Sequence, residues 1–335
     1  MQEKTIVVVD AMGGDLAPVE PVKGAVDAVK QNKMLGVILV GPEDVIQAEL
    51  DKYTYPEGRI KIQPASEVIS TEEAPVAAIR NKKDSSIVVG QKLVKEGKAD
   101  AFVSGGSTGA VLAGGMFVVG RIKGVERPPL GTLMPVKGGV SLLVDSGASV
   151  DTRPSHLVQF ARMGSIYMEN VVGIKNPRVA IVNVGVEEEK GNALVKETLP
   201  LLKECEGINF IGSIEAREIP NAGADVIVCD GFVGNVILKL YEGVASVLLS
   251  EVKKGLMTDL KTKIGALLIK KSLKQTLKTF DASEYGGAPM LGLNGLVVKV
   301  HGSSTAKEVS TALNQCITFK EQKIAEQIKA SFAKK

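Results

Sequence analysis

The chain has 335 residues, 44% of them hydrophobic and 24% charged, with 36 glycines and a net charge of +3. This is globular composition, which excludes disordered, collagen-like and low-complexity chains, and the length suits about two domains of ordinary size. Zero Trp and five Tyr give no stacking platform for nucleic acid, and the small net charge supplies no electrostatic one, so no nucleic-acid partner is expected.

Cys205, Cys229 and Cys316 are scattered without a CxxC pair, and His156 and His301 lie far apart. No metal, cofactor or disulfide framework is expected, and a reducing cytoplasm fits. The N-terminal MQEKTIVVVD has no basic region ahead of a long apolar core, so no signal peptide is read there.

In chain order, Thr5–Val9 predicts a strand ending in DAMGGD. Val22, Ala25, Val26 and Val29 then mark one face of a helix, with Pro18 in its first turn. A second strand, Val37–Val40, stops at Gly41, and a third, Ala101–Val103, stops at SGGSTG before an apolar helix. Ala101–Gly120 is 20 uncharged residues, the length of a membrane span, but its six glycines with Ser104, Ser107 and Thr108 read as strand, turn and buried helix. Further strands are Leu142–Val144 before DSGAS, Val179–Val182 before NVG, Val226–Cys229 before DGFVGN, and Leu296–Val300 before HGSS.

Continuous apolar strands alternating with helices predict an α/β, doubly wound, mostly parallel sheet flanked by helices. Residues 1–335 read as a single α/β unit, any two subdomains being interleaved around a crevice. In such sheets ligands bind beyond the carboxyl ends of the strands. Asp10, Gly13, Gly14, Asp15, Ser104, Ser107, Thr108, Gly109, Asn183, Asn192, Asp230, Asn235 and His301 fall there.

Each motif has a bland reading beside the functional one. SGGSTG offers helix-start amides to an anion, or is a tight turn with Ser107 or Thr108 as a cap. DAMGGD carries two acids that bind a cation or orient basic groups, or is a glycine turn capped by Asp15. In NVGVEEEKGN the run Glu187–Glu189 reads as solvated surface, whereas Lys190 and Asn192 flank a glycine at a helix entry. There a lysine offers charge to phosphate or a developing oxyanion. Asn235 in DGFVGN can donate to an oxyanion, and Asp230 or Asn235 can equally cap a helix. His301 ends a strand, His156 sits in a helix, and Cys229 reads as a small buried hydrophobe. No GK[ST] or GxGxxG occurs, which disfavours nucleotide and dinucleotide chemistry, and no Ser-His-Asp triad is read.

Residues 253–279 form a basic amphipathic helical segment. Lys253–Lys278 holds eight lysines and one acid, a local balance of +7 that leaves the rest of the chain at −4. Two helical stretches are expected with the apolar run Ile264–Ile269 between them, too short to span a bilayer. Lys263, Leu267, Leu268, Lys270, Lys271 and Lys274 are the candidate contacts for an anionic membrane surface or an acidic partner, the alternative being a lysine face over a dimer or core contact.

Read together, VVDAMGGD, SGGSTGA, GRIKGVERPPL, LVDSGASVD, NVGVEEEKGN, FIGSIEARE, CDGFVGNVILK, YGGAPMLGLNG and HGSS resemble the bacterial phosphate acyltransferase family, the acyl-ACP:phosphate transacylases of phospholipid synthesis. The likeness covers almost the whole chain. Serine stands at 107 and 149 where the family usually has asparagine, keeping a hydrogen-bonding group with a shorter reach. The resemblance implies transfer of a fatty acyl group from acyl carrier protein to inorganic phosphate. It also implies a homodimer, a phosphotransacetylase-like fold, and a cytoplasmic protein touching the inner face of the cell membrane, where a membrane glycerol-3-phosphate acyltransferase uses the acyl phosphate. On this reading the DAMGGD and SGGSTG loops bind phosphate, and Lys190 and Asn235 orient it and stabilise the oxyanion. No covalent enzyme intermediate is needed. The rival expectations are a phosphotransacetylase using a CoA thioester and a membrane-docked scaffold with a decayed site; a dehydrogenase ranks last.

Overall fold

The computed structural model describes residues 4–278 and 285–333. Its strands are β1 (Thr5–Asp10), β2 (Leu35–Gly41), β3 (Ile60–Pro64), β4 (Ala101–Ser104), β5 (Gly131–Val136), β6 (Gly139–Val144), β7 (Arg178–Val182), β8 (Asn209–Ile214), β9 (Val226–Val228), β10 (Ala288–Pro289) and β11 (Leu296–Lys299). The helices are α1 (Val19–Gln31), α2 (Glu43–Leu50), α3 (Pro75–Asn81), α4 (Ser86–Lys95), α5 (Thr108–Gly114), α6 (Pro154–Tyr167), α7 (Ala193–Lys203), α8 (Gly231–Leu256), α9 (Leu260–Lys278), α10 (Ala306–Glu321) and α11 (Ile324–Ala333).

The expected doubly wound architecture is present, as two sheets rather than one. Their orders are β10-β11-β4-β1-β2-β3 and β5-β6-β9-β7-β8. Pairing is parallel, with Val8 set between Ile38 and Phe102, except for β10 on β11 and β5 on β6. Val7, Val8 and Val9 are no more than 2% exposed. That is why β1 is a continuous apolar run: helices cover both faces of its sheet. Each such side chain contributes about 1.5–3 kcal/mol by burial.

Four strands escape the sequence reading, β3, β5, β8 and β10, and they are the four sheet edges. Edge strands are half solvated, as the mixed burial of Asn209–Ile214 shows, so they lack the unbroken apolar run that marks central strands. Ala101–Gly120 folds as β4, a turn and α5, continued by a π-helical turn over Gly115–Val119, with Ala110 and Val111 fully buried.

The basic segment comprises the last turns of α8 and the whole of α9; residue 279 lies outside the described residues. One expectation is corrected: Ile264–Ile269 lies inside α9, not between two helices. The turn comes earlier, because the Asp259 carboxylate accepts the Thr262 N–H at 2.8 Å and starts the helix there. α8 is long and apolar enough to cross a membrane by length and composition, and only 6% of its apolar window is buried. Leu240, Val247 and Leu248 on α8 and Leu267 and Leu268 on α9 are all at least 60% exposed.

Candidate active site

The carboxyl ends of β1, β4 and β11 carry three loops that lock together. The Asp15 N–H donates to the Gly302 carbonyl at 2.7 Å. Gly14, at φ +112, lies so close that a Cβ there would meet the same carbonyl at 2.8 Å, so only glycine fits. Beneath them Asp10, 2% exposed, accepts from the Ser104 hydroxyl at 2.7 Å and the Met12 N–H at 3.2 Å. Burial pushes the Asp10 carboxyl above its usual range in spite of these bonds. Ser104 Oγ in turn accepts from the Gly106 N–H at 3.0 Å. Gly13 packs on the Asp10 carboxyl and Gly109 on Pro75. Ser107 caps α5, accepting from the Ala110 N–H at 3.4 Å. Between the loops, Asp10, Gly13, Gly14, Gly105 and Gly302 line a recess of about 10 Å³, room for a single water at most.

The opposite wall is built on Asp145, which is fully buried. Its carboxylate accepts backbone N–H bonds from Leu130 (3.0 Å), Gly147 (3.1 Å), Ala148 (2.9 Å) and Ser149 (2.7 Å), tying down the DSGAS loop. Burial nonetheless holds this carboxyl above its usual range. Ser149 is buried and accepts from Arg127 Nε at 2.9 Å. Asp230 caps α8 through the N–H groups of Phe232 and Val233, both at 2.9 Å. At Gly234 a Cβ would stand 1.9 Å from the Asp145 carbonyl oxygen. That close approach sets the first turn of α8 against the loop and brings Asn235 beside Gly147.

Between the walls lies a cavity of about 320 Å³. Thr108, Ser146, Asn235, Lys299, His301 and Ser304 give it polar groups, and Leu133, Met134, Leu238 and Ala245 give it apolar ones. Tyr241 donates to the Pro135 carbonyl at 2.6 Å, joining α8 to β5. His301 Nδ1 accepts from the Ser303 N–H at 3.2 Å, so the neutral ring carries its proton on Nε2.

Of the residues singled out from sequence, the structure gathers Thr108, Asn235 and His301 on this cavity, and places Asp10, Gly13, Gly14, Ser104 and Ser107 in the loops behind it. Asp15 stands beside Gly302. Asn183, Lys190 and Asn192 form a separate loop after β7. There Asn183 donates to the Lys190 carbonyl at 3.2 Å, and Asn192 caps α7 by accepting from Val195 at 2.9 Å. Lys190 Nζ sits 2.8 Å from Glu187, half exposed, and that carboxylate raises its pKa. Lys263, Leu267, Leu268, Lys270, Lys271 and Lys274 lie on exposed positions of α9.

His156 is held at the start of α6, Nε2 3.3 Å from Glu126, and burial lowers its pKa. The Cys229 thiol is pushed well up by burial and donates to the Asp145 carbonyl at 3.6 Å, which makes it a poor nucleophile. No cluster of His, Cys, Asp and Glu suited to a metal occurs among the described residues.

Sequence reasoning missed Lys299, which lines the cavity at the end of β11. A signal was there: a lysine inside LVVKV, an otherwise apolar run, is a charge committed to a buried strand.

The family model described as fatty acid synthesis protein matches residues 5–327. The chain is 54% identical over 322 residues to a phosphate acyltransferase of Alkaliphilus oremlandii, covering 96% of each chain. It is 50% identical over 323 residues to a phosphate acyltransferase of Clostridium acetobutylicum, covering 96% of this chain and 97% of that one. Among solved structures, a phosphotransacetylase from Streptococcus pyogenes superposes with a TM-score of 0.62 at 17% identity, over 95% of this chain and 94% of that one. This likeness concerns the fold.

Proposed function

We propose that this chain, which belongs to the phosphate acyltransferase family, takes a fatty acyl group from acyl carrier protein and passes it to inorganic phosphate, giving acyl phosphate for phospholipid synthesis. The observation that carries the reading is the cavity itself. It joins hydrogen-bond donors at strand ends to an apolar lining, and so suits an anion and an acyl thioester together.

A phosphate oxygen attacks the thioester carbonyl carbon, the C–O bond forms, and the carbonyl oxygen takes up the negative charge. Collapse breaks the C–S bond, and the carrier thiolate leaves and is protonated by solvent. A substantial fraction of phosphate is dianionic near neutral pH and phosphate is its own nucleophile, so no side chain need be acylated. The protein's task is to hold the two substrates in line and to stabilise the oxyanion.

Asn235, on the cavity wall, is assigned the oxyanion. Thr108 and the SGGSTG turn are assigned the phosphate, since the recess behind them is too small for one. Lys190 is assigned a supporting positive charge, available once it leaves Glu187. Asp10, Asp15, Asp145 and Asp230 hold the loops. The lysines of α9 dock the acidic carrier, and the apolar faces of α8 and α9 serve a second copy and the inner face of the membrane. There a membrane acyltransferase takes the product. The whole chain works as a single α/β unit.

The test mixes long-chain acyl carrier protein and phosphate with the enzyme, trapping acyl phosphate with hydroxylamine and following free carrier thiol. Phosphate-dependent product and thiol in equal amounts support the reading. Turnover with acyl-CoA and none with the carrier substrate overturns the choice of donor.

A further inference from the structure

We infer that Lys299 is the residue that binds the phosphate substrate, its buried ammonium being a cation whose counter-charge is the substrate itself. Lys299 is 8% exposed, the only basic side chain so buried among the described residues. It still reaches the cavity, which it lines together with Thr108, His301 and Ser304. A charge taken out of water is stable only when paired. Yet Lys299 makes no ion pair within 4.0 Å among the described residues. Its Nζ donates to two neutral acceptors, the carbonyls of Gly105 (3.3 Å) and Val300.

The carboxylates that act on it, Asp10 from β1 and Asp15 from the loop beyond, do so without contact. Asp10 is moreover pushed towards its neutral form by burial. The other charged or titratable groups around the cavity are Tyr285, ahead of β10, His301 and Glu308 on the chain after β11, and Lys239, Tyr241 and Glu242 on α8. A dianion seated against Lys299 would supply the missing charge. It would also meet the hydroxyls of Thr108 and Ser304 and the Nε2–H of His301, donors that match its acceptor oxygens. That position faces Asn235 across the cavity, where the thioester carbonyl is assigned. The inference needs phosphate as a substrate and is indifferent to which thioester supplies the acyl group.

The test is a phosphorus-31 NMR titration of inorganic phosphate with wild-type enzyme, K299M and K299R, without any acyl donor, so failure of the carrier-protein reading leaves it intact. K299M is expected to lose affinity about 10²-fold, in line with removal of a charged donor, and K299R to keep most of it. In turnover the KM for phosphate should rise by a similar factor in K299M, with kcat changed less.

Burial lowers the ammonium to about 8. Wild-type kcat/KM for phosphate should therefore fall above that pH, where phosphate itself no longer changes charge, and K299R should abolish the fall. K299M removes an unpaired buried charge and should melt no lower than wild type. If it does not fold, the comparison of alkaline profiles between wild type and K299R decides alone. Affinity within twofold of wild type in folded K299M, or the same alkaline fall in K299R, overturns the assignment.

Discussion

The Nζ of Lys299 donates to the carbonyl of Gly105 across 3.3 Å, joining the last residue of β11 to the turn that follows its neighbour β4. One charged side chain thus ties the HGSS loop to the SGGSTG loop and places an ammonium at the rim where both loops meet the cavity. Asp145 plays the matching part on the other wall, its carboxylate gathering four backbone N–H groups. Each wall is organised by a buried ionisable group, and Asn235 stands on the Asp145 wall beside Gly147.

Asn235→Ala should lower kcat by about 10²–10³, the usual loss for one oxyanion donor, with the melting temperature almost unchanged. Lys190→Ala should cost less, since Lys190 is held by Glu187 and does not line the cavity. Steady-state rates on the same acyl donor check both. Near-wild-type turnover in Asn235→Ala would remove that residue from the mechanism.

Asp10→Asn tests the cost of the buried carboxyl. Because burial raises its folded pKa above the ordinary 3.8, the folded state favours the protonated form. The stability this group contributes is complete below about pH 3.8 and is lost as pH rises through the higher folded value. The asparagine variant lacks this loss, so its stability relative to wild type should increase over that rise and then level off. Urea midpoints measured from pH 4 to 8 give the curve; a flat difference would contradict it.

Gly234→Ala puts a methyl where the Asp145 carbonyl already stands, at 1.9 Å. The first turn of α8 must shift, at a cost of about 1–3 kcal/mol. Asn235 moves with it, so kcat should fall as well as the melting temperature. Gly243→Ala, in the same helix with open space around it, is the control and should slightly stabilise.

Changing Lys270, Lys271 and Lys274 to Gln should raise the KM for acyl carrier protein most at low salt, because charges on an exposed helix act through a screened field. Changing Leu267 and Leu268 to Ser should release the protein from anionic vesicles while leaving phosphate kinetics alone. Unchanged carrier kinetics and unchanged vesicle flotation would confine α9 to contacts between copies.

The central strands could be read directly from the amino-acid sequence. β1, β2, β4, β6, β7, β9 and β11 lie inside sheets, are covered on both faces, and so keep an apolar run, interrupted only by Lys299 in β11, that ends in Gly, Ser, Asn, Asp or His. The cavity at the carboxyl ends of the strands followed, with Thr108, Asn235 and His301 on its lining. The edge strands were hidden because half-solvated strands carry no such run. The start of α9 was misplaced because the capping of Asp259 and Thr262 outweighs the apolar pattern around Leu267.

What only the tertiary structure decided is which strand-end residues face one another. Sequence distance says nothing about the two walls, so Lys190 ranked equal to Asn235 although it sits on a separate loop. Lys299, 64 residues beyond Asn235, passed as part of a strand. Whether a lysine is a solvated surface charge or a buried cation without a partner depends on what folds over it. In this chain that cover comes from segments nearly two hundred residues away in sequence, at Gly105.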